Sequence, residues 1–148
     1  MNNILLLHGI NLNIMGKRDV KHYSSLTLED LETFTTIEAS QYGFKVVAYQ
    51  SNHEGDLVNK LQKEASNSVG IIINAGAFTH YSYGLYDALI DTQLPIIEVH
   101  LSNLSEREDF RKHSVIAPAC IKVIEGKHER GYKEEVHFLI AYLKYENN

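Results

Sequence analysis

The sequence predicts an open α/β fold with a five-stranded parallel sheet and helices on both of its faces. Five short apolar runs, at residues 4–8, 44–49, 69–73, 95–99 and 119–124, are dominated by Ile, Leu and Val and alternate little with polar residues. Such runs are typical of strands buried on both faces. Segments with helical periodicity follow each run. Short connections and right-handed crossovers then give a flavodoxin-like, doubly wound, three-layer α/β/α sandwich with strand order 2-1-3-4-5.

The first helix is predicted over residues 28–42, after the first strand and a polar loop. Thr27 is suited to cap it, and Asp30, three residues later, completes a weaker form of the capping box. The apolar positions of this segment are Leu28, Leu31, Phe34 and Ile37.

Later helices are predicted from apolar stripes with the same period. The stripes consist of Leu57, Val58, Leu61 and Ala65; of Tyr81, Leu85, Ala88 and Leu89; and of Val136, Leu139, Ile140 and Leu143. Ser105 and Glu108 have the S-x-x-E spacing of a capping box, which predicts one further short helix after the fourth strand.

Length and charge narrow the possible functions. The chain has 148 residues, 44% hydrophobic and 22% charged, which fits one domain spanning residues 1–148. It is too short for a TIM barrel, which takes about 250 residues. The net charge of −5 argues against a nucleic-acid partner, since general backbone binders are basic.

Cysteine content and hydropathy point to a cytoplasmic protein without a membrane partner. The single cysteine, Cys120, excludes an internal disulfide and a CxxC metal site. No apolar run reaches the roughly 18 residues that a membrane span needs. The N-terminus, Met1-Asn2-Asn3, lacks the basic start of a signal peptide.

The predicted topology places a ligand site beyond the carboxyl ends of strands one, three and four, where the strand order switches. Residues 8–13, 74–80 and 100–103 follow these strands and are rich in His and Asn. The sequence contains no GxGxxG, GxxxxGK[ST], GxSxG or HExxH motif, which argues against the enzyme classes these motifs mark. His80 and His100 lack close ligand partners in sequence, although Asp87 and Glu98 offer carboxylates, so we expect no metal.

A polar loop of about residues 17–25 is long for a βα connection and is interpreted as a mobile lid. Arg18 lies close to Tyr23 in sequence, and a guanidinium favours the phenolate form of a tyrosine. A phenolate in a closed site is a competent general base. The alternative is a solvated loop whose tyrosine packs on the surface.

Two further groups of residues lie at the end of the fourth strand and just after it. Glu98 and His100 are two residues apart and share a face of an extended strand, so the carboxylate is placed to orient the imidazole. The alternative is a strand-end histidine exposed by chance. Arg107, Arg111 and His113 either face the ligand or form an ordinary solvated surface.

Five motifs, in order along nearly the whole chain, resemble those of the type II 3-dehydroquinate dehydratase family. Residues 9–18 resemble GPNLNLLGxR, 50–55 match QSNHEG, 73–80 resemble INPGAYTH, 98–103 match EVHLSN, and 107–114 resemble REPFRxHS. The resemblance implies removal of water from 3-dehydroquinate to give 3-dehydroshikimate without metal or organic cofactor. It also implies a place in the shikimate pathway or in quinate breakdown, and a homododecamer built as a tetramer of trimers.

The resemblance also assigns roles to the matching residues. The catalytic set is Tyr23 as base, Arg18 as the group that holds its phenolate, Asn11 as holder of a water that stabilises the enolate, His100 as proton donor, and Glu98, which orients His100. The substrate-binding set is Asn74, His80, Leu101, Ser102 and Arg111, with Asp87 supplied by a neighbouring subunit.

Four positions depart from the family pattern. Ile10, Val20 and Asp109 stand where the family has Pro, and Ser24 stands where the lid has Gly. Fewer prolines make a loop more flexible when open, so closure costs more entropy. Asp109 is expected to weaken the hold of Arg111 on substrate. The competing hypothesis is a flavodoxin-like binding or signalling module without catalysis.

Overall fold

A computed structural model describes residues 2–17, 26–127 and 130–146. The strands are β1 (Asn3–His8), β2 (Lys45–Gln50), β3 (Ser68–Asn74), β4 (Ile96–His100) and β5 (Lys122–Glu125). The α-helices are α1 (Leu28–Ser40), α2 (Glu54–Glu64), α3 (Tyr83–Thr92) and α4 (Arg130–Glu146). All strand pairs are parallel, and the order is β2-β1-β3-β4-β5. The predicted fold class and strand order are confirmed.

The central strands are apolar because both of their faces are covered. Ile4 and Leu6 of β1 pack in a cluster with α1 and α4, whereas Leu5 and Leu7 pack in a second cluster with α2 and α3. Successive side chains of a strand point to opposite faces, so a strand between two helical layers has no polar side. Within the described residues, no helix has the length and apolar character to cross a membrane.

Helix α1 begins as predicted but buries a different stripe. The Thr27 hydroxyl accepts a hydrogen bond from the Asp30 backbone N–H at 3.1 Å, and the Asp30 carboxylate accepts one from the Thr27 N–H at 3.0 Å, so the capping box is complete. The buried positions are Leu31, Thr35 and Ala39. Their spacing of four residues leaves Phe34 and Ile37 on an adjoining surface, where they are 37% and 54% exposed. The helix ends at Ser40, two residues before the predicted end.

The predicted short helix after β4 is wrong. The chain instead forms three 3₁₀ turns, at Leu104–Glu106, Asp109–Arg111 and Ala117–Ala119. The Asn103 side chain, rather than Ser105, accepts the hydrogen bond that caps the first turn. Arg107 and Glu108 have extended backbones, so no helix can continue through them. This irregular path keeps the segment near the carboxyl edge of the sheet.

The loops after β1 and β3 are in direct backbone contact. The Gly9 N–H donates a hydrogen bond to the Asn74 carbonyl at 2.8 Å. A Cβ at Gly9 would lie only 2.0 Å from the Ala75 carbonyl oxygen, so a side chain there would push the loops apart. Glycine at this position therefore brings the two loops together at the predicted switch point.

Candidate active site

A cleft opens at the carboxyl edge of the sheet, where the segments after β1, β3 and β4 meet. Its lining residues are Ile10, Asn11, Leu12, Asn74, Gly76, Ala77, His80, His100, Leu101, Ser102, Leu104, Arg107 and Arg111. The cleft combines two imidazoles, two carboxamides, a hydroxyl and two guanidinium groups. Such a lining suits a small, oxygen-rich anion.

Glu98 and His100 form a hydrogen-bonded pair at the end of β4. His100 Nε2 contacts the Glu98 carboxylate, and both side chains are buried. The contact follows from their spacing, because residues two apart on a strand lie on one face. Nδ1 is the ring nitrogen that this contact leaves for the cleft.

The Glu98 carboxylate is held by two hydroxyl groups from other segments. Thr79 Oγ1 donates to Oε2 at 2.7 Å, and Ser114 Oγ lies 2.9 and 2.8 Å from the two carboxylate oxygens. Burial acts to raise the pKa of Glu98, but hydrogen bonds from His100, Thr79 and Ser114 and the charge of His100 outweigh it, so the pKa is lowered. Glu98 is therefore an anion at neutral pH, although no part of it is exposed.

His80 faces the cleft as a neutral imidazole. Its Nδ1 lies 2.8 Å from the His113 carbonyl oxygen and donates to it, which leaves Nε2 as the acceptor. Partial burial, followed by the charges of His100 and Arg111, lowers the pKa of His80, although the His113 carbonyl opposes this. At neutral pH the ring can accept a hydrogen bond from a hydroxyl group in the cleft.

Asn11 lies in a strained turn that a neighbouring motif supports. Its φ of 70° places it in the left-handed region, which asparagine tolerates better than most residues. The Asn52 carboxamide oxygen accepts a hydrogen bond from the Asn11 backbone N–H at 2.9 Å. Gln50 Nε2 donates to both Asn52 and the Gly9 carbonyl, so the start of the QSNHEG motif braces the loop after β1.

Asn74, at the end of β3, is fixed from both sides. Its carboxamide oxygen accepts a hydrogen bond from the Gly76 backbone N–H at 3.1 Å, and its Nδ2 lies 3.4 Å from the Tyr132 hydroxyl. The amide orientation is thereby determined, because only an oxygen can accept from the backbone N–H.

The two arginines of the cleft come from the irregular segment after β4. Arg107 Nη1 donates to the Ser102 hydroxyl at 3.2 Å. Arg111 Nε contacts the Glu108 carboxylate at 2.5 Å, whereas Asp109 pairs with Lys112 at 3.1 Å. Glu108, rather than Asp109, is therefore the carboxylate that pairs with Arg111 in the free protein, and the expected effect of Asp109 on substrate binding stays a prediction.

Of the remaining predicted residues, Leu101 and Ser102 line the cleft. Asp87 is exposed on α3 and is not part of the cleft lining. Arg18, Tyr23 and nearly all of the predicted lid lie outside the described residues. Among the residues that are described, no three His, Cys, Asp or Glu side chains cluster as metal ligands would.

Comparison with known proteins decides the family. The family profile described as "Dehydroquinase class II" matches residues 2–140. The chain belongs to the class II dehydroquinase family. This finding confirms the resemblance seen in the sequence and the predicted enzyme class, a hydro-lyase.

The relatives of this chain match almost its whole length. A protein from Bacillus pumilus named 3-dehydroquinate dehydratase is 45% identical over 141 residues, which make up 95% of this chain and 96% of the relative. A Corynebacterium glutamicum protein of the same name is 46% identical and covers 92% of this chain and 94% of its own. The crystal structure of a type II dehydroquinase from Butyrivibrio crossotus matches with a TM-score of 0.90 and 40% identity, and covers 93% of this chain and 97% of its own.

Sequence reasoning missed three residues that shape the site. Thr79 and Ser114 hold Glu98, and Tyr132 contacts Asn74. Thr79 and Ser114 fall inside the quoted motifs, so the motifs were the available signal. Tyr132 lies in no quoted motif, and only its place on the buried face of α4 distinguishes it.

Proposed function

We propose that this protein is a type II 3-dehydroquinate dehydratase. It removes water from 3-dehydroquinate through an enolate intermediate and yields 3-dehydroshikimate without a metal or organic cofactor. The observation that carries the proposal is the His100–Glu98 pair, placed at the rim of a cleft that also contains Asn11, Asn74 and Arg111. Family membership supports the choice of substrate.

His100 delivers the proton that turns the departing hydroxyl into water. Since Glu98 engages Nε2, the proton comes from Nδ1. The buried carboxylate holds the ring through Nε2 and so directs Nδ1 towards the departing hydroxyl. Hydroxide is a poor leaving group, so elimination needs such an acid.

Substrate binding is assigned to groups that meet an anionic, polyhydroxylated ring from several sides. Arg111 attracts the carboxylate, and the neutral His80 and the Asn74 carboxamide bind hydroxyl groups. Ser102 and the backbone of Leu101 complete this set. The ion pair between Glu108 and Arg111 that is present in the free protein has to break before Arg111 can bind the substrate carboxylate.

Proton abstraction is assigned to Tyr23, with Arg18 favouring its phenolate. Tyr23 removes the proton on the carbon beside the ketone, and a water held by Asn11 stabilises the resulting enolate. The lid of residues 17–25 closes the site over these groups.

The biological setting and the assembly are proposed from the family alone. The reaction serves aromatic biosynthesis through the shikimate pathway or the breakdown of quinate. The protein forms a homododecamer of four trimers, and Asp87 completes a neighbouring site. Its exposure on α3, away from its own cleft, is compatible with that position. Light scattering that finds a stable, fully active monomer contradicts this assembly.

The activity is tested with purified protein and 3-dehydroquinate in the presence of EDTA, by following the absorbance of the conjugated enone product. We expect turnover by the unaltered protein, a large loss in His100→Ala and wild-type rates in His137→Ala. His137 is the matched control, because it also contacts a glutamate, Glu38, but lies on α4 away from the cleft. If the absorbance does not change with the unaltered protein, the proposed activity is contradicted and the hypothesis of a non-catalytic binding or signalling module is favoured.

A further inference from the structure

A buried polar cluster lies behind the cleft, where the ends of β1 and β3 meet α4. Its centre is the Tyr132 hydroxyl, which lies 2.9 Å from His8 Nε2 and 3.4 Å from Asn74 Nδ2. Tyr132 and His8 are fully buried, and their rings stack with centroids 5.7 Å apart. Of these three residues, Asn74 is the one that lines the cleft.

The directions of these hydrogen bonds follow from which atoms carry hydrogen. The Asn74 oxygen is already bonded to the Gly76 N–H, so its Nδ2 donates to Tyr132. Burial lowers the pKa of His8 to about 3, so its ring is neutral at neutral pH and carries one hydrogen.

The position of the His8 hydrogen follows from counting unsatisfied groups. If Nδ1 carries it, Nε2 accepts the Tyr132 O–H, and among the described residues the Nδ1–H is the one group of this cluster left without a partner. If Nε2 carries it, two groups of the cluster are unsatisfied, because the Tyr132 O–H loses its acceptor and the Nδ1 lone pair has no donor. Each buried unsatisfied group costs about 1–3 kcal/mol, so the Nδ1–H form is favoured.

We propose that Tyr132 is a positioning residue that orients the Asn74 amide for substrate. The chain runs from Asn74 Nδ2–H to the Tyr132 oxygen, and from the Tyr132 O–H to Nε2 of a His8 in the Nδ1–H form. One amide hydrogen of Asn74 is thereby held at the back of the site, and the other is directed to the cleft, where it donates to a substrate oxygen. The functional part of this inference rests on the proposed dehydratase activity.

The kinetic test is a double-mutant cycle of Tyr132→Phe and Asn74→Ala. Phenylalanine keeps the buried ring and removes only the hydroxyl. We expect Tyr132→Phe to lower kcat/KM roughly tenfold, mainly through KM, as for the loss of one hydrogen bond to a binding group. Because Tyr132 acts through Asn74, it should cause little further loss in the Asn74→Ala background.

The matched control is Tyr145→Phe, which removes a phenol hydroxyl from an 81% exposed position on the same helix. It should leave kcat/KM unchanged. A purely structural role for Tyr132 lowers the Tm but leaves kcat/KM intact at temperatures where the variant is folded. That result overturns the proposal. The proposal is also overturned if the loss of kcat/KM in the double variant equals the product of the losses in Tyr132→Phe and Asn74→Ala.

A second measurement needs neither activity nor a variant. Long-range ¹H–¹⁵N spectra of the unaltered protein report which nitrogen of His8 carries hydrogen, and we expect Nδ1. The Nε2–H form overturns the proposed chain, even if Tyr132→Phe fails to fold. If the protein does not act on 3-dehydroquinate, the proposed function fails, while these spectra still decide the hydrogen-bond chain.

Discussion

Nε2 of His100 is hydrogen-bonded to the carboxylate of Glu98, a side chain with no exposed surface. A buried carboxylate of this kind can act only through the groups it touches. Here these are an imidazole that opens on the cleft and the hydroxyls of Thr79 and Ser114. Glu98 is therefore placed to orient His100, and it does not itself line the cleft.

The His100→Ala variant should lose kcat by about 10²–10⁴-fold, the usual contribution of general acid catalysis. KM should change much less, because the proton is transferred in the transition state. Steady-state kinetics with 3-dehydroquinate measures both constants. An unchanged kcat removes His100 from the mechanism.

The Thr79→Val variant should lower kcat by about one to two orders of magnitude, because a hydrogen bond to a charged group is worth about 1.5–3 kcal/mol. Loss of this donor disfavours the ionised form of Glu98 and raises its pKa. The acid limb of the pH–rate profile should therefore move to higher pH. Thr36→Val is the control, since the Thr36 hydroxyl bonds only within α1. An unmoved acid limb shows that Thr79 does not support the charge of Glu98.

The Glu98 contacts show what sequence alone could reach. The His100 contact follows from a spacing of two on one strand. Thr79 and Ser114 are 19 and 16 residues away from Glu98, and only the fold brings them together. The sequence shows that polar residues follow the correct strand ends. Which of them form hydrogen bonds with each other depends on the conformation of the loops, and loops have no periodic pattern from which it can be predicted.

The same limit applies to the fold. The five apolar runs predict the strands because burial on both faces is a strong and local signal. For the segment after β4, the spacing of Ser105 and Glu108 alone predicts a helix. There Asn103 takes the capping position and Glu108 binds Arg111, so competing hydrogen bonds decide the structure.

His8 should make the protein less stable in acid. Burial lowers its pKa from 6.5 to about 3, so between these values the unfolded chain takes up a proton that the folded chain does not. Unfolding free energy should therefore fall as pH drops through this range, by about 3 kcal/mol between neutrality and pH 4.5. Urea unfolding at fixed protein concentration measures it, and His8→Asn should show a smaller acid loss. Equal losses in both proteins contradict this assignment.

Glu135 should act in the opposite direction. It is fully buried on α4, its carboxylate has no hydrogen-bond partner among the described residues, and burial raises its pKa well above 4.5. Above its ordinary pKa the unfolded chain loses a proton that the folded chain keeps, so stability falls as pH rises, by up to about 1.4 kcal/mol per unit.

The Glu135→Gln variant keeps the size of the side chain and removes its titration. Its stability gain over the unaltered protein should grow between about pH 5 and pH 8. Glu134→Gln is the control, because Glu134 is exposed and pairs with Lys127. Parallel pH–stability curves for the unaltered protein and Glu135→Gln show that Glu135 is not held in its neutral form.

The Arg18–Tyr23 pair lies outside the described residues and is predicted from sequence. Tyr23 is useful as a base only when deprotonated, and an ordinary phenol is almost fully protonated at neutral pH. To lower the pKa of Tyr23 by one unit, the site has to stabilise the phenolate over the neutral phenol by about 1.4 kcal/mol. A guanidinium in contact within a closed, poorly hydrated site supplies such stabilisation and stays charged throughout the working range.

Two substitutions separate the base from its activator. Tyr23→Phe keeps the ring and deletes the base, so turnover should fall by orders of magnitude at every pH. Arg18→Ala should be similarly severe near neutrality but should recover partly at high pH, where an ordinary phenol ionises. Because both residues act through one phenolate, the double variant should be little worse than Tyr23→Phe alone. Measurement of kcat against pH for the three variants decides the assignment. Near-normal turnover in Tyr23→Phe, or losses that simply multiply, would place the base elsewhere.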